Sequence, residues 1–252
     1  MTVLVLPSDG GEPLEVLDGA GIARAVVGPA TGAQHRTMAV LELPPGAGTR
    51  LLRHPGEAVW YVDSGRGEAL VAEGGDFDLD PGTMIHVAPG AAYSLRAGDE
   101  ALRVLGGPAP PDPALHGGDA GELPADGGAV RRFHRDEPSR LAPMISKDAR
   151  LVVWLGVGAE TANMNHVRLE PGEENMPHRH SESEDTIAIL EGRGTVDDLT
   201  NGLSLPFEAG DVIHIPVGLE HRVKADRGAA VVSVGGPCPA DRAVAAAPAE
   251  RA

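Results

Sequence analysis

Gly172-Glu173-Glu174-Asn175-Met176-Pro177-His178-Arg179-His180, followed by Asp185 and Gly192, decides how the rest of the chain is read. Gly210, Pro216-Val217-Gly218 and His221 answer it further along. Positions i and i+2 of an extended segment face the same way, so His178 and His180 point together. A carboxylate at Asp185 opens the next strand-sized run, Thr186 to Leu190. His221 follows a Pro-Val-Gly turn that can return the chain to the same spot. Three imidazoles and one carboxylate suit a divalent transition ion, which satisfies side chains that would be costly to bury alone. The expectation is one ion per chain, with Fe, Mn, Ni, Cu, Co and Zn all admitted by these ligands.

Working outward, the chain is written twice. Ala23-Arg24-Ala25-Val26-Val27 reappears as Ala149-Arg150-Leu151-Val152-Val153, and Pro45-Gly46 as Pro171-Gly172. Gly65-Arg66-Gly67 reappears as Gly192-Arg193-Gly194, and Gly106-Gly107-Pro108 as Gly235-Gly236-Pro237. A few one-residue insertions account for the whole drift, and order is kept throughout. The expected organisation is therefore residues 1–107, a Pro/Gly-rich linker over 108–129, residues 130–242, and a frayed Ala-rich tail over 243–252. Apolar runs are strand-sized and bounded by turn residues: Met38 to Leu43, Val59 to Val62, Thr186 to Leu190 and Val212 to Ile215. With 34 Gly and 22 Pro, this pattern predicts an all-β protein of antiparallel sandwiches or barrels. Only Pro138 to Ala149 reads as a short helix.

The two stretches around His178 and His221 resemble the two conserved motifs of the cupin superfamily, and the resemblance covers both repeats. It implies two tandem jelly-roll β-barrels, a bicupin, with a His-x-His, an acidic residue and a later His holding metal inside the second barrel. The family usually carries Glu where Asp185 stands, and Glu184 is adjacent. Asp185 is preferred, because it keeps the spacing to His180 and Gly192 and shares strand parity with Ile187 and Ile189. The family's Asn after the last His would fall at Ala225 and is absent. In the first repeat the four ligand positions become Leu52, His54, Ala58 (with Glu57 beside it) and Tyr93. That barrel is expected to hold no metal, with His54 a hydrogen-bonded pocket histidine.

The function implied is metal-dependent chemistry on a small organic substrate, with oxygenase or dioxygenase action preferred. His178, His180, Asp185 and His221 would hold the ion, and Asp185 or Glu184 would carry the proton. The alternatives are a non-oxidative Lewis-acid isomerase, epimerase, lyase or decarboxylase, and a binding protein without turnover. His86 and His214 occupy matching places in the two repeats and are read as making structural hydrogen bonds. Asn163 and Asn165 share a strand face entering the site and could meet a polar substrate.

A net charge of -16 argues against nucleic acid and anionic membranes as partners. The single cysteine, Cys238, excludes an intrachain disulfide, and the opening run lacks the basic residues of a signal peptide. A cytoplasmic protein is expected, as a monomer with its two barrels paired or as a homodimer.

Overall fold

The structure is a computed structural model that describes residues 1–242; the tail expected over 243–252 lies outside the described residues. Among the described residues the named elements are β-strands and three short 3-10 segments, Pro29–Thr31, Pro113–His116 and Leu155–Val157. The short helix expected over Pro138 to Ala149 is not formed. Its ends enter strands Arg140–Leu141 and Asp148–Val153, which pair with each other through Arg140↔Leu151. Among the described residues no helix is long and apolar enough to cross a membrane.

The chain divides into two compact units, Gly11–Asp136 and Met1–Gly10 with Glu137–Ala252. These bounds differ from the 1–107 and 130–242 read from the repeat, and the difference has a simple physical origin. Strand Leu4–Pro7 pairs antiparallel with Asp211–Ile215 (Leu4↔His214), so the first residues complete the second unit. The strand at the same place in the second repeat, Val130–His134, pairs with Thr83–Val87 (Arg131↔His86) and completes the first. Backbone ladders, each strand needing partners for its N–H and C=O groups, thus outvote chain order. The stretch 108–129 is likewise more than a linker. It carries Pro113–His116, and its Asp112 is buried.

Each unit is a sandwich of two sheets. In the second, the larger sheet runs Leu4–Pro7, Asp211–Ile215, Glu184–Glu191, Val231–Cys238, Met164–Leu169, Asp148–Val153, Arg140–Leu141. It faces a smaller sheet of Leu203–Glu208, Arg193–Asp198 and His221–Ala225. Ile189, Ile213 and Ile215 from the large sheet meet Val196, Phe207 and Val223 from the small one. Each such side chain stabilises the fold by about 1.5–3 kcal/mol when withdrawn from water. The first unit repeats the plan, with Leu41, Trp60 and Val104 packed against Ala69, Leu79 and Leu95.

The repeated Gly-Arg-Gly owes its glycines to this packing. Gly65 and Gly192 both take a left-handed backbone (φ 79° and 85°). A Cβ on either would overlap a carbonyl oxygen, of Ala101 or of Ala230. The turn that starts the next strand therefore accepts only glycine in both copies.

Candidate metal centre

The segment before Glu184–Glu191 is pinned to the strand His221–Ala225 by its backbone. His178 N donates to His221 O (3.1 Å) and His221 N to His178 O (2.9 Å). Gly218 N, from the Pro-Val-Gly turn, donates to His180 O at 2.8 Å. These bonds bring histidines 43 positions apart in register (His178↔His221). Ring centroids lie 4.3 Å apart for His178 and His221, 5.0 Å for His178 and His180, and 5.6 Å for His180 and His221. Asp185 enters from the adjoining strand, flanked by Ile215 and Pro237. One ligand atom from each of His178, His180, Asp185 and His221 lies within 4.8 Å of the other three.

The outer nitrogens of the three rings are all held. His178 Nδ1 lies 2.9 Å from Met176 O, His221 Nδ1 3.0 Å from Leu219 O, and His180 Nδ1 2.9 Å from Asp241 Oδ2. All three partners are acceptors, so each Nδ1 carries the proton and each Nε2 presents a lone pair inward. His180 Nε2 and His221 Nε2 each lie 3.7 Å from Asp185 Oδ2, too far for a hydrogen bond. Both nitrogens and Asp185 Oδ1 are buried without a hydrogen-bond partner. Three inward lone pairs and an ionised oxygen, with His178 half-buried and the other three groups buried, make a set that one divalent transition ion satisfies.

The electrostatics agree. Burial alone would raise the Asp185 carboxyl, but His180 and His221 outweigh it and hold the group well below the usual carboxylate range. Burial, reinforced by His221, lowers His178 and keeps it neutral. Burial works against a charged His180, yet Asp185 and then Asp241 prevail and raise it.

Glu184, the alternative carboxylate and candidate proton carrier, is not part of this cluster. Successive residues of a strand face opposite ways, so Glu184 turns from the face that Asp185 shares with Ile187. Its charge bears instead on His214, whose pKa is lowered by burial against the opposing pull of Glu184 and Asp185. His214 Nδ1 lies 3.4 Å from Thr186 Oγ1. In the first unit His86 bonds Glu57 Oε1 (3.1 Å) and meets Arg131 (3.0 Å). Both histidines of this matched pair therefore have structural partners.

A cavity of about 370 Å³ opens on the cluster, lined by His178, His180 and Asp185 among apolar groups such as Leu151, Trp154, Val167 and Ile187. Asn163 and Asn165, singled out for their shared face, both line it, as does Asp241. Asp241 carries no motif. A lone acidic residue three positions past Cys238 gives no sign in the sequence that it will meet His180.

In the first unit the four equivalent positions hold a different construction. His54 Nδ1 bonds Asp112 Oδ2 (2.8 Å), and His54 Nε2 lies 3.1 Å from the Tyr93 hydroxyl. That hydroxyl also accepts from Trp60 Nε1 at 2.7 Å. Burial pushes the Tyr93 hydroxyl above the usual phenol range. A closed chain of hydrogen bonds thus stands where the second unit gathers its four ligand groups.

Two jelly-roll sandwiches, one with a three-histidine and carboxylate cluster, define a bicupin. The cupin-domain family model matches residues 39–106 and 165–235, and the chain belongs to this family. Over 94% of its length it is similar to a point mutant of Bacillus subtilis oxalate decarboxylase OxdC, with TM-score 0.70, 17% identity and 77% of that chain covered. Lactobacillus farciminis oxalate decarboxylase in its formate complex gives TM-score 0.70 at 18% identity, covering 94% of this chain and 86% of that one. The protein Ylba from E. coli gives TM-score 0.70 at 17% identity, covering 93% and 90%. At these identities the likeness is one of fold. A curated relative, polyketide synthase CurC of Streptomyces cyaneus, is 34% identical over 74 residues, which is 29% of this chain and about half (47%) of the relative.

Proposed function

We propose that the second unit is a metal-dependent active site performing non-oxidative Lewis-acid chemistry, as an isomerase, lyase or decarboxylase, on an enolisable carbonyl compound with an apolar body. The observation that carries this is the convergence of three Nδ1-anchored imidazoles and an ionised Asp185 into one cluster, of which His178, His180 and Asp185 line a largely apolar cavity of about 370 Å³. His178, His180, Asp185 and His221 would hold the ion. When bound, such an ion withdraws electron density from a substrate oxygen and so acidifies the neighbouring C–H or weakens a C–C bond.

The chain's own residues supply the rest. Met176 O, Leu219 O and Asp241 fix the three rings, so no reorganisation is needed as substrate enters. Leu151, Val167 and Ile187 exclude water and raise the effect of every charge inside. Asp185 Oδ1, buried and without a hydrogen-bond partner, is the atom we assign to accept the substrate proton. Glu184 faces away and takes no part.

This reading departs from the oxygenase expected from sequence. Two of the three similar structures are named as decarboxylases, which supports the non-oxidative branch. Oxalate itself fits poorly, since it is far smaller than the cavity and gains nothing from apolar walls. The deciding test is metal-loaded protein in D2O with benzoylacetone, under strict anaerobiosis, read by proton NMR. Protein-dependent exchange or cleavage without O2 supports the proposal. Turnover that stops when O2 is removed restores the oxygenase reading and ends this one.

A further inference from the structure

Resting on that reading of the cavity, we propose that Asn165 selects the substrate: its amide oxygen receives a hydrogen-bond donor, a hydroxyl or phenol, carried on the far side of the substrate from the oxygens that face the histidine cluster.

Asn165, Val167 and Leu169 alternate along Met164–Leu169 and all line the cavity. Val167 and Leu169 are what a jelly-roll wall needs. An amide in the same row gains nothing from packing. Asn165 is only 5% exposed, and its Oδ1 is buried without a hydrogen-bond partner. A desolvated acceptor left empty is a standing penalty, so a residue kept there for structure would be apolar.

The surroundings aim the amide. Gly236 is bare backbone: a Cβ there would lie 2.8 Å from Asn165 Nδ2 and 3.0 Å from Asn163 Nδ2. The nitrogen end of Asn165 therefore occupies the space left by Gly236. Its oxygen end is the buried, unpartnered atom of a side chain that lines the cavity. Asn163 cannot take over the task by swinging, because its Nδ2 is tied to Pro237 O at 2.9 Å.

Sheet register sets the length of the ligand. Asn165 pairs with Gly235, which pairs with Ile187, the next cavity-facing residue after Asp185. Two strand spacings and two residues separate Asp185 from Asn165, roughly 12 Å along the sheet. A compound about one aromatic ring long spans that gap with its carbonyl oxygens at one end and a hydroxyl at the other. The substrate class is thus a hydroxylated enolisable carbonyl compound, such as a hydroxyaryl diketone.

The test uses cobalt(II)-loaded protein, whose absorption reports on groups entering the metal site. Three probes are titrated: benzoylacetone, its para-hydroxy derivative and its para-methoxy derivative. Wild type should bind the para-hydroxy compound about tenfold tighter than the other two, the increment of one good hydrogen bond. Asn165→Leu should bind cobalt within about twofold of wild type and lose the preference for the para-hydroxy compound over the other two. The comparison among probes in wild type needs no variant, so a folding defect in N165L leaves the proposal exposed. Equal binding of the three probes by wild type, or a preference that survives in N165L, overturns it while leaving the active-site reading intact. Failure of benzoylacetone itself to perturb the cobalt spectrum overturns the active-site reading and this proposal with it.

Discussion

Asp241→Asn isolates one hydrogen bond from everything else at the metal centre. Of the three ring anchors, two are backbone carbonyls that no substitution removes, and the third is Asp241 Oδ2, 2.9 Å from His180 Nδ1. Its carboxylate makes the imidazole a stronger donor and fixes its orientation. Loss of such a partner typically weakens metal binding 10–100-fold. The Asp241 side chain is 24% exposed, so solvent screens part of the charge and the lower part of that range applies. About 10–30-fold is expected, or ~1.4–2 kcal/mol. Asparagine can still accept from Nδ1 while losing the charge, whereas Asp241→Ala loses both. The order of Zn2+ affinity should therefore be wild type, then D241N, then D241A. Competition with a chromophoric chelator at pH 7 measures it directly. In metal-free protein the His180 imidazole should titrate lower in both variants, because one of the two carboxylates that lift it against burial is gone. Affinities of both variants within about twofold of wild type would refute the argument that this contact tunes the centre.

Three other outcomes are expected. His178→Ala and His180→Ala should each abolish the rise in melting temperature that excess Zn2+ gives wild type, read by differential scanning fluorimetry; an undiminished rise would place the ion elsewhere. Tyr93→Phe leaves Trp60 Nε1 without its acceptor and His54 Nε2 without its partner. It should cost about 2–4 kcal/mol in urea unfolding and leave metal content unchanged. Asp112 should contribute to acid stability. Burial would raise its carboxyl, but His54 and the Ala114 N–H hold it below the usual value. The unfolded chain then binds the proton more readily, so this contribution is present above about pH 4 and fades as pH falls toward the depressed folded value. Asp112→Asn should flatten that part of the stability profile, and an unaltered acid limb would count against the pair.

The repeat is legible from short matches kept in order, the sandwich class from strand-sized runs between turns, and the four clustered residues from strand alternation together with the spacing of two cupin-like motifs. His178 and His180 share a face by strand alternation, and Asp185 keeps parity with Ile187 and Ile189. The same alternation separates Asp185 from Glu184 once the strand is real. The unit boundaries were not legible, since the pairing of Leu4 with His214 joins residues over 200 positions apart and leaves no local trace. Asp112 and Asp241 escaped for a related reason. Asp112 sits in a stretch whose composition reads as linker, Asp241 carries no motif, and the meaning of each comes only from a histidine far away in sequence. The helix expected over Pro138 to Ala149 failed because Leu151 and Arg150 recruit that segment into a sheet edge.

The exchange of edge strands bears on how this protein can be dissected. A cut within 108–129 would release a leading piece that keeps Leu4–Pro7, for which it has no berth, and loses Val130–His134 with the Arg131 that meets His86. The trailing piece would expose Asp211–Ile215 as a bare edge of Val and Ile, ready to capture the nearest unpaired strand of another molecule. The same wiring orders assembly on the ribosome. Strand Leu4–Pro7 must wait, unpaired, until Asp211–Ile215, its partner over 200 residues later, is made.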